Sequence, residues 1–164
     1  MTAKRLFVTP ERCIGCRSCE IACAFSHATG LGAPGLTRIR AFSRSPETHI
    51  PVVCLQCENA ACVQVCPTQT LVRVTEGPGA GAIRVLTERC ISCRMCTIAC
   101  PFGNIHVEPT PGRPSGTIVK CDLCEGDPAC AKFCPSAALE WAERPTRNPP
   151  PKPAQTRASL PGLI

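Results

Sequence analysis

Apolar residues in this chain occur in short runs, separated by stretches rich in turn-forming residues. Runs of β-prone residues predict strands at 6–8, 36–42, 70–75, 82–87, 105–107, 117–119 and 138–141. The glycine-rich residues 76–81 predict a hairpin between the third and fourth of these runs. We expect the first and last runs to pair antiparallel. The pattern predicts an α+β fold of short strands and short helices that is rich in loops.

Composition indicates a thin apolar core. The chain has 164 residues, enough for one ordinary domain or two very small ones. Aromatic residues make up only 4% of it, while eighteen prolines and twelve glycines add to its loop content. Such a chain needs another source of folding free energy, and bound metal supplies it in many small domains. We therefore expect the metal-free protein to be largely unfolded.

Sixteen cysteines in four groups of four dominate the chemistry of the sequence. The groups are Cys13, Cys16, Cys19, Cys23; Cys54, Cys57, Cys62, Cys66; Cys90, Cys93, Cys96, Cys100; and Cys121, Cys124, Cys130, Cys134. The first and third groups have the spacing C-x2-C-x2-C-x3-C, which is typical of [4Fe–4S] ligands. The other two lengthen only the middle step, and every group except the first ends in Cys-Pro. Sixteen thiolates at four per cubane predict four [4Fe–4S] clusters.

Other uses of clustered cysteines fit the sequence less well. Zinc sites use two separated C-x2-C pairs rather than three closely spaced cysteines followed by Cys-Pro. Disulfide frameworks need a secreted context, and residues 1–10 show no signal-peptide pattern. Radical chemistry on S-adenosylmethionine needs a three-cysteine site, whereas every run here has its fourth cysteine. We find no Ser/His/Asp set, phosphate loop or dinucleotide motif, so we expect no catalytic residues in this chain.

The chain contains an internal duplication. Residues 11–25 (ERCIGCRSCEIACAF) match residues 88–102 (ERCISCRMCTIACPF) at eleven of fifteen positions. The segment from residue 57 (CENAACVQVCPTQTL) resembles the segment from residue 124 (CEGDPACAKFCPSAAL), with one residue inserted. A two-cluster unit has therefore been duplicated.

The strands around the cysteines indicate how the groups combine. Strand, glycine turn and strand connect the second group to the third, as between the two cysteine runs of a bacterial ferredoxin. The first and fourth groups are flanked by the outer strands, so they should form the other unit. We expect two interleaved bacterial-ferredoxin-like (βαβ-type) units, residues 1–50 with 105–143 and residues 51–104. Residues 144–164 are a proline-rich tail that we expect to lie across a partner or a second copy, with packing along its own chain as the alternative.

In two-cluster ferredoxins the fourth cysteine of each run ligates the cluster of the other run. Applied here, this rule predicts four crossed ligand sets. They are Cys13, Cys16, Cys19 with Cys134; Cys121, Cys124, Cys130 with Cys23; Cys54, Cys57, Cys62 with Cys100; and Cys90, Cys93, Cys96 with Cys66. The alternative, which combines the first group with the second and the third with the fourth, fits the flanking strands less well.

The formal charge of +6 does not describe the metal-loaded protein. Each oxidised cubane with four thiolates carries about −2, which brings the total to about −2. The basic residues form no run and accompany no stacking aromatics, which argues against nucleic-acid binding. No apolar stretch is long enough to span a membrane, and we expect a cytoplasmic protein in an anaerobic or reducing setting. Because cysteines fill every ligand position, His27, His49 and His106 are expected to have packing or surface roles.

The motifs ERCIGCRSCEIAC, C-x2-C-x4-C-x3-CP, CISCRMCTIACP and KCDLC resemble those of the four-cluster iron–sulfur subunit family. The resemblance covers about residues 5–143. The family includes electron-transfer subunits of dimethyl-sulfoxide-reductase-type molybdenum enzymes. Short relatives serve formate-hydrogenlyase-type complexes, carbon-monoxide-dehydrogenase-linked hydrogenases and tungsten aldehyde oxidoreductases. In this family the first group pairs with the fourth and the second with the third.

The resemblance implies an electron-transfer (polyferredoxin) subunit of an oxidoreductase complex. Such a subunit takes electrons from a molybdenum- or tungsten-cofactor subunit and relays them through four [4Fe–4S] clusters. The acceptor is a flavin- or NAD-linked subunit or another carrier. The best candidate for the donor is an aldehyde oxidoreductase. Self-association into a longer relay is a further expectation. Two alternatives stay open: an accessory or maturation protein for a formate dehydrogenase or hydrogenase, and a free diffusible ferredoxin.

Overall fold

A computed structural model describes residues 4–28, 35–110 and 112–143. The strands are β1 (Arg5–Val8), β2 (Ile39–Ser45), β3 (Thr48–Val53), β4 (Leu71–Arg73), β5 (Ile83–Val85), β6 (Ile105–Thr110), β7 (Arg113–Lys120) and β8 (Leu139–Ala142). The helices are α1 (Ser18–Ser26), α2 (Ala61–Gln64), α3 (Met95–Ala99) and α4 (Ala129–Lys132). Within these ranges no helix is long and apolar enough to cross a bilayer. The proline-rich tail, and with it the expectation that a partner holds it, lies outside the described residues.

The strands form four two-stranded antiparallel sheets, paired β1–β8, β2–β3, β4–β5 and β6–β7. The β1–β8 sheet joins the two ends of the described chain, with Leu6 opposite Trp141. The β4–β5 hairpin encloses the glycine-rich turn. Both pairings were predicted from the sequence and are confirmed. With short helices beginning inside the cysteine runs, the architecture is an α+β, loop-rich ferredoxin-like fold.

The strand β3 has no counterpart among the sequence predictions. It pairs with β2, and the two strands place Ala41 opposite Pro51. Proline in the middle of a run argues against a central strand, because it cannot donate a ladder hydrogen bond. A two-stranded sheet consists of edge strands only, so Pro51 is tolerated here. The strand also spans residue 51, where the sequence divides the two predicted units.

Two clusters of buried residues stand out in the described part of the chain, and cysteines belong to both. The first contains Cys19, Cys23, Ile39, Ala41, Val53, Ala82, Cys121, Leu123, Cys130 and Leu139. The second contains Ala60, Cys62, Leu71, Ile83, Cys96, Ile105 and Ile118. Ile105 and Ile118 belong to the β6–β7 hairpin, which therefore packs on the middle of the chain. Neither cluster has a fully buried aromatic member, as the composition led us to expect.

The sequence duplication is repeated in the backbone. Arg17 and Arg94 occupy equivalent positions, have left-handed φ values of 58° and 61°, and each directly precedes a helix. The equivalent Gly15 and Ser92 also have positive φ, 69° and 59°. Non-glycine residues adopt this conformation rarely. Left-handed residues turn successive backbone N–H groups toward one side of a loop, a geometry suited to anion binding.

Candidate iron–sulfur centres

The first candidate centre joins the two ends of the chain. Its four cysteines, which line one pocket, are Cys13, Cys16, Cys19 and Cys134. Arg12, only 3% exposed, links the two segments. Its Nη1 donates a hydrogen bond to the Ala137 carbonyl oxygen (3.0 Å) and lies 3.4 Å from a carboxylate oxygen of Glu140 on β8. The residue preceding the first cysteine thus fixes the segment that carries the last one.

The second candidate centre lies in the middle of the chain. The cysteines that line its pocket are Cys54, Cys57, Cys62 and Cys100. Three of them come from the loop before α2 and from α2 itself, while the fourth follows α3. Ile83 and Ile105 close the pocket with apolar side chains. Contact between α2 and α3 brings the fourth cysteine to the other three.

A third set of thiols is inferred from the charges that act on Cys96. Burial, reinforced by the nearby thiols of Cys66, Cys93 and Cys90, raises the pKa of Cys96 to about 11. These four thiols are therefore close enough to interact. The set combines three cysteines of the third group with the fourth cysteine of the second group.

The remaining thiols meet around Cys130. Burial, and after it the charges of Cys121, Cys23 and Cys124, raise the pKa of Cys130 far above its ordinary value. Cys19 belongs to the same buried cluster as Cys23, Cys121 and Cys130, so this set lies next to the first candidate centre. Two groups of four cysteines thus line pockets, and the other eight thiols interact around Cys96 and Cys130. All of them are free thiols.

Several of these thiols are buried, which is more typical of metal ligands than of reactive free thiols. Burial raises the pKa of Cys19 to about 11 and that of Cys121 to about 12. A free thiol in such a place stays protonated at neutral pH and is a poor nucleophile. A metal cation instead displaces the proton and neutralises the thiolate. The donor set therefore fits [4Fe–4S] clusters, which four thiolates hold.

Backbone N–H groups are aimed at two of the fourth cysteines. The Arg38 N–H donates to Cys23 Sγ at 3.2 Å, and the Thr70 N–H donates to Cys66 Sγ at 3.3 Å. Hydrogen bonds to ligand sulfurs are one of the factors that set iron–sulfur reduction potentials. These contacts also suit a cluster, because they stabilise the charged thiolate form.

A hydroxyl group accompanies the fourth cysteine of the second and fourth groups. Thr68 Oγ1 lies 3.6 Å from Cys66 Sγ, and Ser136 Oγ lies 3.8 Å from Cys134 Sγ. Partial burial raises the pKa of Cys66, but hydrogen bonds, first from Thr68, outweigh this and bring it to about 7. Neither hydroxyl was among the residues predicted from the sequence to adjoin a centre. The signal was available, since Thr68 and Ser136 each follow a Cys-Pro pair in the duplicated segments.

His27 forms a charged network beside Cys23. Its Nδ1 lies 2.9 Å from the Cys23 carbonyl oxygen and 3.8 Å from Cys23 Sγ, and its Nε2 lies 3.2 Å from Asp122 Oδ1. The hydrogen bond to Asp122, followed by that to Cys23, raises the pKa of His27 to about 10. Arg38 Nη1 lies 2.7 Å from Asp122 Oδ2. Burial opposes ionisation of Asp122, but His27 and Arg38 outweigh it and hold the pKa of Asp122 well below the usual range.

Comparison with known families identifies the same segments. Residues 53–104 match the 4Fe-4S dicluster domain, and residues 10–26 match a 4Fe-4S binding domain. The first of these matches contains the second and third cysteine groups. The second match contains the first group.

Three curated relatives resemble most of the chain. The polyferredoxin-like subunit of the aliphatic sulfonate oxidoreductase of Pyrococcus furiosus is 37% identical over 87% of this chain and 78% of the relative. The electron transport protein HydN of Escherichia coli is 37% identical over 82% and 85%. Formate hydrogenlyase subunit 2 of Escherichia coli is 34% identical over 80% and 77%. The chain belongs to the polyferredoxin-type iron–sulfur subunit family: it binds [4Fe–4S] clusters and transfers electrons.

Asp122→Asn removes the carboxylate that Arg38 and His27 share. We expect it to lower the free energy of unfolding by about 2 kcal/mol near pH 6.5. Because the pKa of His27 is raised, its contribution is complete below its ordinary pKa of 6.5 and is lost as the pH rises through about 10. The difference between wild type and variant should therefore shrink over that interval. Anaerobic denaturant unfolding at a series of pH values measures it.

The matched control is Asp127→Asn. Asp127 forms an exposed ion pair with Lys132, so its loss should change the free energy of unfolding by less than about 0.5 kcal/mol at every pH. Equal losses in the two variants would contradict the assignment. So would a difference for Asp122→Asn that grows as the pH rises.

Proposed function

We propose that the sixteen cysteines hold four [4Fe–4S] clusters in crossed sets. The sets are Cys13, Cys16, Cys19 with Cys134; Cys121, Cys124, Cys130 with Cys23; Cys54, Cys57, Cys62 with Cys100; and Cys90, Cys93, Cys96 with Cys66. The observation that carries this proposal is the convergence of each trio with the fourth cysteine of another group. When bound, each cluster accepts and returns one electron. The chain's own residues ligate the irons, donate hydrogen bonds to the sulfurs and surround the sites with apolar side chains.

We further infer two interleaved units, residues 1–50 with 105–143 and residues 51–104. The β1–β8 sheet supports the first unit, because it joins the segments that carry the first and fourth groups. The β4–β5 hairpin supports the second, because it connects the second and third groups. Gln56 Nε2 donates a hydrogen bond to the Cys121 carbonyl oxygen at 2.8 Å, and this contact would join the two units.

The crossed sets can be tested with pairs of alanine substitutions. Cys13→Ala and Cys134→Ala remove ligands from the same proposed set, so the double variant should keep about three intact clusters, as each single variant does. Cys13→Ala combined with Cys23→Ala affects two proposed sets and should keep about two. Iron, sulfide and Mössbauer analysis of anaerobically purified protein counts the intact clusters. The reverse outcome for the two double variants would mean that each group holds its own cluster.

We propose that the chain relays electrons between a molybdenum- or tungsten-cofactor subunit and a flavin- or NAD-linked subunit or another carrier. The relative in Pyrococcus furiosus is itself named as the polyferredoxin-like subunit of an oxidoreductase, which supports a permanent catalytic partner. The resemblance of short four-group chains to subunits of tungsten aldehyde oxidoreductases favours an aldehyde as the substrate of that partner. We further propose that second copies associate with this chain and extend the relay.

Anaerobic affinity purification of the chain from its own cells tests this partnership. We expect a catalytic subunit to co-purify in a fixed ratio with molybdenum or tungsten, and an aldehyde to reduce the clusters of that complex. The matched control is the same preparation with the metal cofactor omitted by growth without tungsten and molybdenum. A lone chain with all its iron would instead favour a diffusible ferredoxin. Association only with an immature, cofactor-free enzyme would favour an accessory protein.

A further inference from the structure

Lys120 is a buried cation that the ligand assignments leave unexplained. It ends β7, directly precedes Cys121, and is only 2% exposed. It is also among the largest side chains that are fully buried in the described residues. A lysine so deep in a small protein loses most of the hydration of its ammonium group, which is strongly unfavourable unless other charges offset it.

The contacts of Lys120 offer no such charge. Its Nζ donates to Gln56 Oε1 at 3.2 Å, to the Ile83 carbonyl at 3.3 Å and to the Cys121 carbonyl at 3.1 Å. These three acceptors use all three N–H bonds of the ammonium group, and all three are neutral. In the described part of the chain no carboxylate forms an ion pair with Lys120. Its counter-charge must therefore come from another source.

Lys120 lies between two of the candidate centres. It is among the residues that line the pocket of Cys54, Cys57, Cys62 and Cys100. Its Nζ also donates a hydrogen bond to the carbonyl oxygen of Cys121, which belongs to a different proposed centre. Cysteines of two different centres thus adjoin Lys120.

Gln56 fixes Lys120 at this position. It lies in the cysteine loop between Cys54 and Cys57, with a left-handed φ of 50°. Its Nε2 donates to the Cys121 carbonyl at 2.8 Å, and its Oε1 accepts from the Ile83 N–H at 2.9 Å as well as from Lys120. One amide thereby ties the loop of the second group to the start of the fourth group, with the ammonium group between them.

We propose that Lys120 is a fixed counter-charge shared by two [4Fe–4S] centres, where it favours the reduced state of both and eases electron transfer between the two units. The proposal rests on the ligand sets of the proposed function. Reduction adds one electron, takes a cubane with its thiolates from about −2 to about −3, and makes or breaks no bond. The electron comes from one neighbouring centre and leaves to the next. A buried cation stabilises that extra charge far more than a solvated one does, because water and salt screen it less.

The test replaces Lys120 with a neutral side chain of similar length. In Lys120→Met we expect all four clusters to be present and two of the four reduction potentials to fall, while Lys120→Arg leaves them close to wild type. The matched control, Lys132→Met, removes the same charge from an exposed ion pair with Asp127 and should move no potential noticeably. EPR-monitored redox titration of the anaerobic holoprotein gives the potentials, and iron analysis gives the occupancy.

Unchanged potentials in a fully loaded Lys120→Met protein would overturn the proposal, and so would equal shifts in all four clusters. If that variant loses iron, Lys120→Gln, which keeps a polar end without charge, takes its place with the same expectation. Loss of iron from both neutral variants would assign Lys120 to cluster assembly and also overturn the proposal. The proposed ligand sets fail independently, through the cluster counts of the cysteine variants, so the two failures are distinguishable.

Discussion

The convergence of four thiols on one point is the constraint on which this structure depends. Cysteines occupy interior positions that larger apolar residues fill in other domains, so little remains to hold the chain together without metal. The pairing of β1 with β8 and the contacts of Arg12 bring the first and last cysteine groups together. Left-handed residues such as Arg17 and Arg94 bend each loop around its own thiols. Most of the regular structure therefore serves to place cysteines.

The second requirement is to balance negative charge in a small volume. Backbone N–H groups reach Cys23 and Cys66, and the Thr68 hydroxyl adds to the second of these. Two cations are placed differently: His27 is paired with Asp122, whereas Lys120 has only neutral partners. The candidate centres thus have similar cysteine spacings but different neighbouring charges and hydrogen bonds. Differences of this kind separate reduction potentials, which a relay needs in order to give electrons a direction.

Short runs of β-prone residues in the sequence predicted most of the strands. They could not predict which residues far apart in the sequence come into contact. The cysteine spacing indicated the cofactor, and the outer strands indicated the β1–β8 pairing. The strand β3 escaped prediction because Pro51 interrupts its apolar run, and only the two-stranded sheet shows why that is tolerated. His27 was expected to have a packing or surface role, and its pairing with Asp122 was not predicted because the two residues lie far apart in the sequence. The role of Lys120 was not predicted either, because a single sequence does not show that its hydrogen-bond acceptors are neutral.

Native mass spectrometry of the anaerobically purified chain, with metal and sulfide analysis of the same sample, tests the central claim most directly. The account predicts about sixteen irons and about sixteen sulfides on each chain, held together in one folded species. Zinc in place of iron would contradict it, because the four sets would then be structural metal sites. A folded chain with half the iron would also contradict it, because half of the cysteines would have no cluster to hold.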